Sequence, residues 1–180
     1  MLQITIPGAR FFDERTEEFL TFKPTTLKLE HSLLSIHKWE SKWHKSYLSA
    51  KEFTAEEFRD YVRCMCLDSS VPADTFLRLT RQNVIDIRAY MEDSMTATTF
   101  GKVGNSRGPK QTITAELIYY WMVSYGIPFE CAKWHINQLM TLIKICGIKN
   151  APQKRGNKKD AAASMQALNR ARRAKLGTSG

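Results

Sequence analysis

The 180-residue sequence contains no run of about 18 consecutive apolar residues, the length that a transmembrane helix requires. Its longest candidate, around Leu117–Val123, is short and is soon followed by Gly126 and Pro128. The first residues, Met1–Pro7, lack the basic segment and long apolar core of a signal peptide, and we expect none. We therefore predict that the protein has no membrane partner.

The cysteine content is low compared with that of disulfide-stabilised domains, and no disulfide framework is indicated. The four cysteines lie in apolar or helical contexts rather than in a small loop-rich scaffold: Cys64, Cys66, Cys131 and Cys146. Disulfide-stabilised domains are typically short, loop-rich and secreted. We therefore expect reduced thiols in a cytosol.

Acidic residues are almost absent from the C-terminal end of the chain. Residues 147–180 carry nine lysines and arginines against a single acid, Asp160, which accounts for +8 of the formal net charge of +9. We predict a near-neutral domain over 1–147, a flexible linker over 148–160 and a basic tail, helical or disordered, over 161–180. Within the tail, Asp160 is placed to cap a helix over Ala161–Leu176, with Gly177 as its stop.

Sequence motifs of catalysis are also lacking. No G-x-S-x-G, phosphate-binding glycine loop or H-E-x-x-H occurs, and we predict no enzyme activity, catalytic residue or cofactor. Cys131 and His135 are four residues apart on one predicted helix, so both could face one metal ion. Cys64 and Cys66 could add two thiolates, but their spacing is shorter than that of structural zinc sites. Small buried hydrophobic side chains are the better explanation of all four thiols, and we predict no metal site.

The apolar periodicity predicts a mainly α fold with a small N-terminal β element. Leu2–Ile6 alternates as a strand, and Thr25–Glu30 is its predicted partner across Phe11–Phe22. From Leu33 the apolar residues recur at helical spacing, and Thr54-Ala-Glu-Glu57 has the spacing of a capping box. Further helices are predicted after two N-terminal signals, Pro72 and Thr80.

A C-terminal αα-hairpin is predicted after a glycine-rich flexible loop, Ser94–Thr112. Thr114 is placed to cap a helix that ends at Gly126, and a second helix is predicted from Pro128 to Gly147. Two helices joined by so short a connection are expected to pack against each other. Their apolar faces are predicted to form the centre of the core.

Two groups of residues are candidates for partner binding. The first is the tryptophans, which most often fill cores but also anchor protein interfaces, and which can stack on nucleic-acid bases when lysines lie beside them. The second is the basic residues of the tail. They could bind an acidic protein segment or a phosphate backbone, or they could serve only to keep the tail solvated. The candidate residues are Trp39, Trp43, Trp121, Trp134, Arg170, Arg172, Arg173 and Lys175.

Several blocks, spread over nearly the whole chain, resemble a family of tailed-bacteriophage proteins. The blocks are Leu29-Glu-His-Ser32, Lys38-Trp-Glu-Ser-Lys-Trp43, Asp93-Ser-Met-Thr-Ala-Thr-Thr99, Ile113-Thr-Ala-Glu-Leu-Ile-Tyr-Tyr-Trp-Met122, Ile127-Pro-Phe-Glu-Cys131, Lys133-Trp-His135, Leu142-Ile143, Ile148-Lys-Asn-Ala-Pro152 and Arg172-Arg-Ala-Lys-Leu176. Proteins of this kind are similar to tail assembly chaperones. The resemblance implies a non-catalytic helical protein of the host cytoplasm that acts with the tape-measure protein, and with other tail proteins or itself as further possible partners.

A DNA-binding packaging or regulatory protein, such as a terminase small subunit, is the alternative. Short helices around Ala73–Met91 could imitate a helix-turn-helix, and the tail could bind phosphates. Against this alternative, the arginines of that segment are balanced by nearby acids: Asp74, Asp86, Glu92 and Asp93. Nucleic-acid binding through the tail is therefore possible but is not the favoured interpretation.

Overall fold

A computed structural model describes residues 1–15, 17–100, 112–151 and 158–177, without side chains at 13 and 158–164. The chain divides into two compact units, Met1–Gly147 and Ile148–Gly180. The fold is mainly helical with a small N-terminal β element, which confirms the predicted fold class. Residues 101–111 of the predicted flexible loop and residues 152–157 of the predicted linker lie outside the described residues.

The N-terminal element consists of two nested antiparallel strand pairs. Strand β1 (Leu2–Ile6) pairs with β4 (Thr25–Leu29), as predicted, and β2 (Ala9–Asp13) pairs with β3 (Glu18–Phe22) between them. Gly8 lies between β1 and β2, where a Cβ atom would come within 2.9 Å of the Phe22 carbonyl oxygen. Only glycine, which has no Cβ atom, allows so close an approach. Gly8 thereby lies between the two strand pairs.

The inner face of the β1–β4 pair is part of the core. Its inward side chains alternate with exposed ones along each strand and are buried: Ile4, Ile6, Leu27 and Leu29. Strand β1 contacts α3 (Arg81–Glu92). This period-two burial is what a half-buried antiparallel pair requires.

Helix α1 (Leu33–Trp43) lies at the centre of the first unit and contacts α2 (Ala55–Met65), α4 (Ala115–Tyr125) and the 3₁₀ helix Phe129–Lys133. A second 3₁₀ helix, Ala73–Arg78, packs on α2. The buried face of α1 consists mainly of Leu33, Ile36, Trp39 and Glu40. The large apolar side chains among them, Leu33, Ile36 and Trp39, have no solvent exposure.

The helix starts follow the predicted capping chemistry. The capping box at Thr54 and Glu57 is present, since each side chain bonds the backbone amide of the other residue. Thr80 caps α3, and Thr114 caps α4. Gly126 ends α4 with a φ of 64°, the left-handed conformation that glycine adopts without strain.

The predicted helix from Pro128 to Gly147 is wrong at both ends. The 3₁₀ helix ends at Lys133, and α5 (Ile136–Asn150) begins after an extended Trp134. The break arises because His135 forms a β-bridge with Ser32 and the Ile136 amide donates to the His31 carbonyl oxygen at 2.7 Å. Gly147 lies inside α5, where a Cβ atom would be 3.2 Å from the Tyr125 hydroxyl.

In the second unit, α6 (Lys158–Leu176) begins earlier than the predicted tail helix. Its C-terminal end is as predicted, because Gly177 follows with a φ of 63°. Lys158 and Lys159 are therefore helical, and Asp160 lies inside the helix rather than at its N-cap.

The buried carboxylate of Glu40 joins three parts of the first unit. Its Oε1 accepts a hydrogen bond from the Tyr47 amide at 2.8 Å, and its Oε2 accepts one from the Ala115 amide at 2.7 Å. The Glu40 side chain is 7% exposed. Ala115 is the first residue of α4, where a negative charge also complements the helix dipole. Glu40 thereby fixes the start of α4 against α1.

Replacement of Glu40 by glutamine is expected to lower the free energy of unfolding by about 2–4 kcal/mol, because an NH₂ group would then face an amide donor and the charge-assisted bonds would be lost. Urea denaturation measures the change. Glu56→Gln, at an exposed position of α2, is the matched control and should change stability by less than about 0.5 kcal/mol. Equal effects of the two substitutions would contradict this role of Glu40.

Candidate partner-binding surfaces

Two of the candidate tryptophans belong to the body of the domain. Trp39 has no solvent exposure, and its indole N–H donates to the Glu57 carbonyl oxygen at 3.0 Å. Trp43 is half-buried, stacks on Trp39 with 6.0 Å between ring centroids and donates to Asp60 at 2.8 Å. Trp39 therefore offers no surface to a partner in the folded domain, and its indole packs in the core.

The other two candidate tryptophans lie nearer the solvent. Trp121 of α4 is half-buried, and Trp134 is 41% exposed in the extended break before α5. The most exposed face of α4 does not carry Trp121. It carries Tyr120 and Val123, each 65% exposed. Tyr120 and Val123 are at positions i and i+3 of the helix, so their side chains share one side of it.

We define the α4 surface as Tyr119, Tyr120, Val123 and Phe129. The Tyr119 and Phe129 rings lie 6.1 Å apart and connect α4 to the following 3₁₀ helix. Phe129 is 59% exposed. Sequence reasoning assigned this stretch to the core, because the helix is apolar on more than one face. Helix α4 is covered on the side of Ala115, Ile118 and Met122, while Tyr120 and Val123 on another side remain exposed.

The strand pair β2–β3 carries a second exposed apolar surface, which the sequence analysis missed. We define the hairpin tip as Phe11, Phe12, Phe19 and Leu20, which are between 46% and 57% exposed. Phe11 pairs with Leu20 across the strands, and Phe12 pairs with Phe19 at 5.1 Å between ring centroids. The guanidinium of Arg10 lies 4.2 Å from the Phe19 ring centroid. The doublets Phe11-Phe12 and Phe19-Leu20 were the available signal.

The four basic tail candidates lie on α6, and all are exposed: Arg170, Arg172, Arg173 and Lys175. Three apolar residues of the same helix are also exposed: Met165, Leu168 and Leu176. None of the four cations forms an ion pair with any residue that the structure describes. The helix therefore presents an uncompensated positive charge next to a thin apolar stripe.

His135, one of the candidate metal ligands, forms two hydrogen bonds with backbone groups. The Nε2–H of His135 donates to the Tyr90 carbonyl oxygen at 3.1 Å, and its Nδ1 accepts from the Asn137 amide at 3.3 Å. Within the described ranges, no three histidine, cysteine, aspartate or glutamate side chains converge on a point where a metal ion could bind. Burial raises the pKa of the Cys64 thiol to about 11, so this thiol is protonated near neutral pH.

A buried group of histidine and tyrosine rings occupies the centre of the domain. His31 Nδ1 and the Tyr61 hydroxyl share a hydrogen bond of 2.5 Å, and the His31 ring lies 5.1 Å from that of His135. Burial, with a smaller contribution from the charge of His135, lowers the pKa of His31 to about 3. Burial also lowers the pKa of His135. Both rings are therefore neutral at physiological pH.

No protein-family model, curated protein or solved structure matches this chain. Among the described residues, no helix is long and apolar enough to span a bilayer.

Acid is expected to destabilise the domain. The unfolded state protonates His31 near pH 6.5, whereas the folded state resists protonation until about pH 3, so stability is lost as the pH falls below about 6.5. Between pH 7.5 and pH 5, His31 should contribute a loss of about 2 kcal/mol. Urea denaturation at both pH values measures it.

The matched variants for this experiment are His31→Gln and His37→Gln. The first should weaken the pH dependence, because it removes the buried titrating group. The second replaces an exposed histidine of α1 and should preserve the pH dependence. A wild-type stability that does not change between the two pH values would refute the assignment.

The loss of stability on replacing each tryptophan should depend on how deeply that tryptophan is buried. Trp39→Ala is expected to lower the free energy of unfolding by about 3–5 kcal/mol, because it opens a cavity and removes the indole bond to the Glu57 carbonyl oxygen. Trp134→Ala should cost less than about 1 kcal/mol, since much of this indole is in solvent. Thermal and urea denaturation test the difference, and similar losses for the two variants would contradict it.

Proposed function

We propose that this protein is a non-catalytic binding protein. More specifically, we propose that it is a phage tail assembly chaperone that binds the tape-measure protein before the tail tube polymerises. The resemblance of sequence blocks along nearly the whole chain supports this assignment. The mainly helical fold agrees with what that resemblance implies.

The α4 surface is the observation that carries the proposal. Two of the resembling blocks, Ile113–Met122 and Ile127–Cys131, provide all but one of its residues. In these blocks Tyr120 and Phe129 point large apolar side chains into solvent rather than into the core. Contiguous exposed apolar side chains are characteristic of interaction sites. The blocks that carry the resemblance thus also supply a surface suited to a protein partner.

The chemistry of the expected partner fits this surface. A tape-measure protein is expected to be a long, mostly helical chain that exposes apolar stripes before assembly. An exposed aromatic and aliphatic patch on a helix can cover such a stripe reversibly by helix-in-groove packing. The cations of α6 can accelerate the encounter with an acidic stretch of the partner, and this contribution weakens with salt.

Nucleic-acid binding by the tail is a second candidate function, favoured by the exposed cations of α6. A packaging or regulatory protein of the terminase small-subunit kind would use them to bind phosphates. The other candidate DNA-contacting element is less suitable. Helix α3 exposes Arg81 and Arg88 together with Glu92, and the helical segment before it is a 3₁₀ helix rather than an α-helix.

Co-expression with a tape-measure protein of the same genome tests the main proposal. We expect the two proteins to co-purify and the partner to become soluble. The double variant Tyr120→Ser/Val123→Ser should reduce the recovered complex by about tenfold, which corresponds to about 1.4 kcal/mol. Leu67→Ser, at a residue that is 60% exposed elsewhere in the domain, is the control and should leave recovery unchanged.

The absence of a complex and of any rescue would refute the chaperone assignment. Removal of residues 148–180 then tests the alternative. A tail that binds DNA predicts a salt-sensitive affinity that disappears with the deletion. The chaperone assignment predicts little specific DNA binding in either form.

A further inference from the structure

An open groove between α2, α3 and the 3₁₀ helix Ala73–Arg78 lies outside the α4 surface and the hairpin tip. Two adjoining clefts of about 380 and 440 Å³ form it, and they share Phe53, Phe58 and Arg88. The smaller cleft is also lined by Leu77, Leu79 and Val84. Leu77 is 68% exposed, so its side chain is available to a ligand.

The aromatic floor of this groove is fixed to the core. The Phe53 ring lies 5.5 Å from that of Trp39 and 4.9 Å from that of Tyr47, both of which are buried. Phe76, which also lines the smaller cleft, is 3% exposed. A floor anchored in this way does not have to be ordered when a ligand binds, which favours affinity.

The charge of the smaller cleft has one sign. Arg59 and Arg88 line it, and no acidic side chain does. Arg88 lies 5.3 Å from the Phe58 ring centroid, and neither arginine forms an ion pair within the described part of the chain. In the adjoining cleft, Lys51 is accompanied by Glu52 and Glu92, so the positive charge is concentrated at the other end.

The helices that line the groove limit which kind of peptide segment can bind in it. Helices α2 and α3 satisfy most of their backbone hydrogen bonds internally, so the groove offers no free strand edge for β-sheet addition. Recognition must proceed by insertion of side chains. A helix that presents an apolar ridge at i, i+3, i+4 and i+7 is the peptide form that does this.

We propose that this groove, the arginine groove, binds an amphipathic helix of a partner protein whose apolar ridge is flanked by carboxylates. The ridge packs on Phe53, Phe58 and Val84, and the carboxylates pair with Arg59 and Arg88. Guanidinium groups are well suited to this task because they bind carboxylates in a bidentate manner while stacking on aromatic rings. This ligand chemistry holds whether or not the tape-measure protein is the partner.

Two synthetic helical peptides test the proposal with the full-length protein. They share an alanine framework and a leucine ridge, and they differ only in glutamates or lysines beside the ridge. Fluorescence anisotropy should show the glutamate peptide binding at least about tenfold more tightly than the lysine peptide. The preference should shrink as salt rises, because the pairing is electrostatic.

Charge reversal locates the site. The double variant Arg59→Glu/Arg88→Glu should reverse the preference between the peptides, and Arg59→Gln/Arg88→Gln should abolish it with less disturbance of the fold. Arg81→Glu, at an exposed arginine of α3 outside the groove lining, is the matched control and should keep the preference. The proposal is overturned if neither peptide binds, if both bind equally, or if the glutamine variant retains the preference.

Discussion

The carboxylate of Glu40 is the interaction on which the arrangement of the first unit depends. Its two oxygens accept the amide of Tyr47 and the first amide of α4, and so one buried side chain joins elements 75 residues apart in sequence. Neighbouring bonds reinforce it, since Ser46 donates to the Ile113 carbonyl oxygen and Ser49 accepts from the Ile113 amide. A buried charge is stable only when its hydrogen bonds are satisfied. This requirement sets where α4, and therefore its exposed face, lies.

The same packing determines which apolar residues are free to contact a partner. Helix α1 directs Trp39 into the core, where it contacts Trp43, Tyr47 and Phe53. By occupying one side of α4 only, α1 leaves Tyr120 in solvent. Exposed apolar patches of this kind are characteristic of interaction sites, which is the basis of our proposal for the α4 surface.

Local chemistry made much of the fold predictable. The β1–β4 pair followed from alternation, the starts of α2, α3 and α4 from their capping residues, and the ends of α4 and α6 from glycines with positive φ. The break before α5 was not predictable, because its cause is a hydrogen bond between Ile136 and the His31 carbonyl oxygen, over a hundred residues earlier. Long-range pairing overrides helical periodicity without leaving a local signal.

The sequence by itself determined features that depend on neighbouring residues or on overall composition. These are the helix boundaries set by caps, the class of fold, and the positive charge confined to the C-terminal end. What only the tertiary structure decided is which side of each element faces water. Trp39 and Tyr120 are both aromatic residues in apolar helical patterns, yet one is enclosed and the other is exposed. The arginine groove unites residues of α2, α3 and a 3₁₀ helix. The exposure of a side chain depends on which elements pack against it, and that packing is fixed only when the chain folds.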